Sequence, residues 1–178
     1  GRYSINSFMA RKLYFVDKIA GMLSKKILTG TMAYKEYLVN EFKISPKKVQ
    51  VTPLGVDDHL FFPKPKSETN TDRFVIMYHG SYIPNHGVET IIKAAANLSR
   101  YPGLTFRLIG DGEGKSHAMQ LADKLGVENI EFLSKVPFEQ LSDCIANSDI
   151  VLGVFGDTSQ ARKAMANKIL EGLAMQKP

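Results

Sequence analysis

Apolar positions follow two rhythms along the chain, one helical and one that alternates runs of about five apolar residues with helical stretches. Between Phe8 and Leu23, Leu13, Val16, Ile19, Ala20 and Leu23 recur at helical spacing, with Arg11, Lys12 and Lys18 off that stripe, which predicts an amphipathic helix. A short strand is expected at Ile27-Leu28-Thr29, broken by Gly30, and then a helix from Met32 to Phe42 capped by Thr31. Val49-Gln50-Val51-Thr52-Pro53-Leu54-Gly55-Val56-Asp57 predicts a further strand leading into a turn. The stretch from His59 to Arg73, rich in Pro, Lys and small polar residues, reads as a linker.

Beyond it the second rhythm sets in. Apolar strands are predicted at 74–79, 105–109, 130–133 and 150–154, with helices beginning near Gly87, Gly114, Pro137 and Gln160. Strict alternation of strand and helix argues for a parallel sheet with helices on both faces, a Rossmann-like α/β arrangement whose ligands sit at the carboxyl ends of the strands. Four loops lie there, HGSYIPNHG, GDGEGKS, SKVPFEQ and FGDTSQARK. In the first, Gly80 lets the backbone turn, Gly87 relaxes the start of a helix, and that helix's free N–H groups favour an anion such as a diphosphate. An ordinary strand-to-helix turn explains the stretch from Phe74 to Ala95 equally well.

Composition narrows this only in part. The 178 residues are 44% hydrophobic and 23% charged, which suits a globular chain with a sizeable core. A formal charge of +5 and a pI near 9.2 suit an acidic ligand or an anionic membrane surface. Lys and Arg are spread along the chain without aromatic interleaving, which speaks against a nucleic-acid module. A single cysteine, Cys144, excludes an intrachain disulfide framework and fits a reducing compartment. No run approaches the roughly 18 apolar residues of a membrane span.

The chemistry-bearing motifs each have a plain structural alternative. Gly110-Asp111-Gly112-Glu113-Gly114 opens a helix but lacks the glycine spacing of a dinucleotide fingerprint, and no Walker-type phosphate loop is present. Its backbone N–H groups suit a ligand or a structural turn alike. Lys168 and Glu171 share a helical face, near Arg162 and Lys163, which gives cations for phosphate and a carboxylate for ribose hydroxyls, or else a surface ion pair. His79 and His86 flank the first loop, where a histidine can donate to a phosphate oxygen, without the further close ligands that a metal needs. No nucleophile elbow points to a hydrolase.

Taken in order, Asp17-Lys18-Ile19 followed by Ile27-Leu28-Thr29-Gly30-Thr31, then VTPLGVDDHLFFP, HGSYIPNHGVETIIKAA, TFRLIGDGEG, IEFLSKVPFEQL, SDIVLGVF and NKILEGLAMQKP form a specific series covering nearly the whole chain. The series resembles the retaining glycosyltransferases of family four, which have the two-domain GT-B fold. The resemblance implies that residues 1–62 end an N-terminal, acceptor-side domain with its interdomain crossing, and that 63–178 form part of a C-terminal Rossmann-like donor-binding domain. Such a fragment is expected not to turn over a sugar nucleotide by itself.

The implied activity is transfer of a sugar from a nucleotide sugar to a glycan or lipid-linked acceptor with retention of configuration, as in polysaccharide biosynthesis. The implied setting is cytoplasmic, with peripheral membrane contact left open and with no cofactor and no metal. The implied donor-binding residues are Gly80, Ser81, His86 and Gly87 in the first loop, Gly110, Asp111 and Gly112 in the second, Val136 and Pro137 beside the nucleobase, and Arg162, Lys163, Lys168 and Glu171 in the last. Ser81 and His86 stand where the family usually has arginine and lysine, and Lys163 stands where it often has a first glutamate. The expectation is that Arg162, Lys163 and Lys168 restore the missing charge. No catalytic base or nucleophile is identifiable. A nucleotide-sugar-binding domain without catalysis and a GT-B epimerase are the alternatives.

Overall fold

The computed structural model describes residues 8–66 and 73–178. They form two compact units, one running up to Leu54 with Arg162–Met165 added, the other Gly55–Ala161 with Ala166–Pro178.

The first unit contains α1 (Phe8–Leu23), β1 (Ile27–Thr29), α2 (Met32–Phe42) and β2 (Val49–Val51). β1 and β2 pair in parallel, Ile27 opposite Val49 and Thr29 opposite Val51. Leu38, Phe42, Ile44 and Val49 form the small core. Thr31 caps α2 as its sequence position predicts, its Oγ1 accepting from the Tyr34 N–H at 3.1 Å. The same hydroxyl donates to the Lys163 carbonyl, and the Lys163 ammonium lies 3.4 Å from the centre of the Tyr37 ring. Every residue of α1 keeps some exposure, although Tyr14 meets Phe42 edge-on at 5.0 Å. Among the described residues no helix is long and apolar enough to cross a membrane.

The second unit has one sheet of four parallel strands, β3 (Phe74–His79), β4 (Leu104–Ile109), β5 (Ile130–Leu133) and β6 (Ile150–Val151), in the order β5-β4-β3-β6. Between them run α3 (Val88–Asn97), α4 (Lys115–Lys124) and α5 (Phe138–Ala146), and α6 (Asn167–Ala174) follows β6. Because side chains alternate along a strand, Ile76 and Tyr78 face one layer and Met77 the other. Ile76, Tyr78, Phe106 and Leu108 pack with Ile91, Ile92 and Ala95 of α3 and Ala118 and Ala122 of α4. Met77 and Ile109 pack with Ile145 of α5, Met175 after α6, and Phe61. The chain steps from β3 to β4 to β5 and then returns to the other side of β3, so the strand order reverses there. Outside the carboxyl ends of β3 and its neighbours is where such a sheet leaves a crevice.

Three expectations need correction. Residues 59–66 are docked, not a free linker. Phe61 is 1% exposed within the core, Lys64 donates to Ser142 Oγ at 2.8 Å and pairs with Asp143 at 2.7 Å, and Lys66 pairs with Asp149. Residues 67–72 of the expected linker lie outside the described ones. The last helix begins at Asn167, not near Gln160, because the intervening segment makes turns held by Thr158, whose Oγ1 accepts from the Ala161 N–H at 3.0 Å. The fourth strand is shorter than expected, although the Leu152 N–H still donates to the Met77 carbonyl at 2.7 Å.

Candidate functional site

The turns that follow β3 and β4 are built against each other. Gly80 has φ +139° and Gly110 φ +143°, a region that residues with a Cβ rarely enter. The Gly80 N–H donates to the Ile109 carbonyl at 2.9 Å, the Tyr82 N–H to the Asp111 carbonyl at 3.3 Å, and the Gly114 N–H to the Tyr82 carbonyl at 3.0 Å. Beside these turns lies a cleft of ≈ 290 Å³, lined among others by His79, Gly80, Ser81, Gly110, Asp111 and Val136, with Phe138 at its edge. Asp111 is exposed but fixed. The Lys135 N–H at 2.8 Å and the Lys115 ammonium at 2.9 Å hold its carboxyl below the usual carboxylate range. Lys115 also donates to the carbonyls of Gly110 and Leu133, at 2.8 and 3.0 Å, so one lysine ties the ends of β4 and β5 together. Sequence reasoning missed Lys115, whose signal was its i, i+4 spacing from Asp111.

On the α6 side three ionisable groups are buried together. His79 is 7% exposed, Glu171 7% and Lys168 6%, so the surface ion pair considered from sequence is not what forms. His79 Nε2 lies 3.4 Å from Glu171 Oε2. Burial, with the Lys168 charge second, pushes the His79 pKa down to about 4, so the imidazole is neutral at neutral pH and this contact is not a charged pair. Burial likewise raises the Glu171 carboxyl, with Lys168 opposing, and lowers Lys168 to about 8, with Glu171 opposing. The Lys168 ammonium lies 4.1 Å from the centre of the Tyr78 ring and has no hydrogen-bond partner among the described residues. A Cβ added to Gly80 would sit 2.7 Å from that ammonium. Glu171 and Asn167 line a smaller cleft of ≈ 90 Å³ with Val56, Asp57, Phe61 and Phe138, and Phe138 is common to both clefts.

The expected residues are therefore brought together in part. Gly80, Ser81, Gly110, Asp111 and Val136 share one cleft, and Glu171 lines the neighbouring one and touches His79. Pro137 precedes α5, between Val136 and Phe138. Gly112, at φ +151°, is packed against Tyr82, where a Cβ would meet the Tyr82 nitrogen at 2.8 Å. His86 Nδ1 lies 2.6 Å from the Ser81 carbonyl and 2.8 Å from the Tyr78 hydroxyl, so that ring nitrogen shapes the first loop instead of facing a ligand. Gly87 turns away as well. It meets the backbone of Phe155 and Gly156 and opens onto a different cleft, of ≈ 560 Å³, beside Val88, Glu113 and His117. Arg162 and Lys163 precede α6 and belong to the first unit, whereas Lys168 lies on α6 in the second, so the three do not share one helix. His79, read from sequence as a loop flank able to donate to a phosphate oxygen but not counted among the donor-binding residues, also lines the cleft; its signal was its position at the end of β3.

Similarity to known proteins follows the same outline. The model of the family described as glycosyl transferases group 1 matches residues 62–178. An MMP α-(1→4)-mannosyltransferase of Mycolicibacterium hassiacum is 26% identical over 126 residues, which make up 70% of this chain and 30% of that enzyme. Among solved structures, WaaG, a glycosyltransferase involved in lipopolysaccharide biosynthesis, superposes with a TM-score of 0.79 at 18% identity over 98% of this chain and 49% of its own. Anabaena HepE in complex with UDP-glucose superposes with a TM-score of 0.78 at 21% identity, again over 98% and 49%. The chain thus spans about half the length of these solved relatives, and its α/β architecture is that of GT-B glycosyltransferases.

Proposed function

The chain belongs to the group 1 glycosyl transferases, and from that premise we propose that it is the donor-side part of an enzyme that moves a sugar from a nucleotide sugar to a glycan or lipid-linked acceptor with retention of configuration. One observation carries the reading. The turns at Gly80 and Gly110 and the buried face of α6 with Glu171 meet at adjoining clefts where the strand order of a parallel sheet reverses.

The chemistry follows from charge. As the sugar departs with oxocarbenium character, negative charge grows on the nucleoside diphosphate, and fixed donors at that position lower the barrier most. With the Gly80 and Tyr82 N–H groups engaged by the Ile109 and Asp111 carbonyls, the Ser81 N–H between them and the positive end of α6 are the backbone groups suited to supply such donors without reorganising. Glu171 suits the ribose hydroxyls as an acceptor, and Val136 and Phe138 offer apolar walls to a base. The tie from Asp111 to Lys135 holds the loop that carries Val136. HepE was solved with UDP-glucose, which makes UDP the first nucleotide to try. The exposed Phe15 and Ile19 of α1, near Lys12 and Lys18, suit peripheral contact with an anionic lipid surface.

Calorimetric titration of the full-length protein with UDP, GDP and ADP tests the reading, and saturable binding of one of them is expected. Transfer from the matching sugar nucleotide, with the anomeric configuration of the product read by NMR, tests retention. Binding without transfer assigns the non-catalytic alternative, and no binding of any of the three removes the donor reading.

A further inference from the structure

His79 ends β3 and stands between the two adjoining clefts. It lines the one of ≈ 290 Å³, and its Nε2 lies 3.4 Å from Oε2 of Glu171, which lines the one of ≈ 90 Å³. Nε2 is among the buried side-chain atoms that form no hydrogen bond with the described residues. A polar nitrogen cut off from water is costly unless a partner is close at hand, and the carboxylate oxygen beside it is such a partner. Burial holds the ring neutral, with a pKa of about 4, so one nitrogen carries the proton and the other a lone pair. A lone pair on Nε2 would face the carboxylate oxygen and repel it. The proton therefore belongs on Nε2, and a small rotation of either side chain turns the 3.4 Å contact into a hydrogen bond.

Glu171 needs a group of this kind. His79 Nε2 is the one contact of its side chain within ion-pair or hydrogen-bond range among the described residues. Lys168, three residues earlier, does not hold the carboxylate, because its ammonium is set against the Tyr78 ring and has no hydrogen-bond partner among those residues. The last torsion of a glutamate is broad, so a carboxylate that nothing holds has no fixed plane. Its two oxygens accept about four hydrogen bonds, and one N–H on Oε2 leaves the others for a ligand.

We propose that His79 is a positioning residue for Glu171, its Nε2–H fixing the plane of the carboxylate so that the remaining lone pairs meet the ribose hydroxyls of the nucleotide. The proposal rests on the donor reading above, in which Glu171 accepts from the ribose, and adds to it the residue that aims the acceptor. An imidazole whose single N–H is turned to Glu171 has none left for a phosphate oxygen. His79 thus serves the sugar of the nucleotide and not its phosphates.

The test uses calorimetry of the full-length protein, with UDP, GDP and ADP and their 2′,3′-dideoxy counterparts as probes. Wild type is expected to bind one ribonucleotide more tightly than its dideoxy counterpart. His79→Phe keeps a ring of similar size without the N–H. It is expected to lower the ribonucleotide affinity about fivefold or more and to leave the dideoxy affinity nearly unchanged, so that the preference shrinks. Circular dichroism melting verifies that the variant is folded. A loss of packing alone would weaken both probes together, and a folded variant that keeps the wild-type ratio overturns the positioning role while the donor reading stands. If wild type binds a diphosphate without preferring the ribose form, the proposal falls with the assignment of Glu171, and nucleotide binding stands. If wild type binds none of the three, the donor reading falls and the proposal with it. Should His79→Phe not fold, long-range nitrogen–proton NMR correlation of the wild-type imidazole decides. A proton on Nε2 supports the proposal and a proton on Nδ1 overturns it.

Discussion

A Cβ placed on Gly110 would lie 2.0 Å from the carbonyl oxygen of Gly80, so the turns that close β3 and β4 touch backbone to backbone. Nothing in such a contact can yield as a flexible side chain would. Gly110→Ala therefore has to force the two turns apart while also holding alanine at φ +143°. The expected cost is on the order of 2–4 kcal/mol in urea unfolding, together with weaker nucleotide binding. Gly55→Ala, where a Cβ would meet nothing within 4 Å, serves as the control for stability and should leave urea unfolding unchanged. Equal effects of the two substitutions on unfolding would refute the close approach.

The alternation of strand and helix was legible because β3 and β4 are buried on both faces and so read as apolar runs, and the capping of α2 was legible because Thr31 acts locally. What sequence could not supply was contact between distant segments. The stretch from Gln160 to Met165 is composed of good helix formers, yet it forms turns. The Thr31 hydroxyl takes the Lys163 carbonyl and the Tyr37 ring takes its ammonium, so tertiary partners override propensity. For the same reason Lys163 could not be separated from Lys168 by spacing alone. The burial of His79 was hidden as well, since it depends on α6 lying over the end of β3.

Lys168→Met should make the folded protein more stable. The lysine pKa is about 8 when folded, against 10.5 in the unfolded chain. Between these values the unfolded chain binds more protons, so the penalty is complete below pH 8 and fades as the pH rises toward 10.5. At pH 7 the gain from methionine is expected to be on the order of 1–3 kcal/mol in denaturant unfolding. At pH 10 most of that gain should be gone. A variant less stable than wild type at pH 7 would mean that the ammonium has a structural partner.

His79 sets an acid limit of its own. Its folded pKa of about 4 lies below the ordinary 6.5, so below pH 6.5 the unfolded chain takes up a proton that the folded chain refuses. Stability is expected to fall by on the order of 2–3 kcal/mol from this group as the pH drops from 6.5 to 4, and to level off below that. His79→Asn removes the titration. Subtracting its pH profile from that of wild type isolates the effect from the carboxylates that titrate in the same range, and superimposable profiles would show that His79 is protonated in the folded protein.

The segment that sequence composition marks as a linker is expected to behave as core at one position and as surface at the next. Phe61 is 1% exposed, packs with Met77, Ile109 and Ile145, and meets Phe138 edge-on with ring centres 5.4 Å apart. Its neighbour Phe62 is 46% exposed. Truncating a buried phenylalanine removes both its transfer free energy and the contacts of the atoms around it, so Phe61→Ala should cost about 3–5 kcal/mol in unfolding of the second unit. Phe62→Ala should stay within about 0.5 kcal/mol of wild type. Because Phe138 borders both clefts, the cavity left by Phe61 also frees a wall of the site, and nucleotide affinity should drop for Phe61→Ala alone. Urea titrations and calorimetry of the two variants side by side measure both effects. If the two substitutions prove equally mild, residues 59–66 are not anchored, and the walls that Phe61 and Phe138 give to the smaller cleft are lost with them.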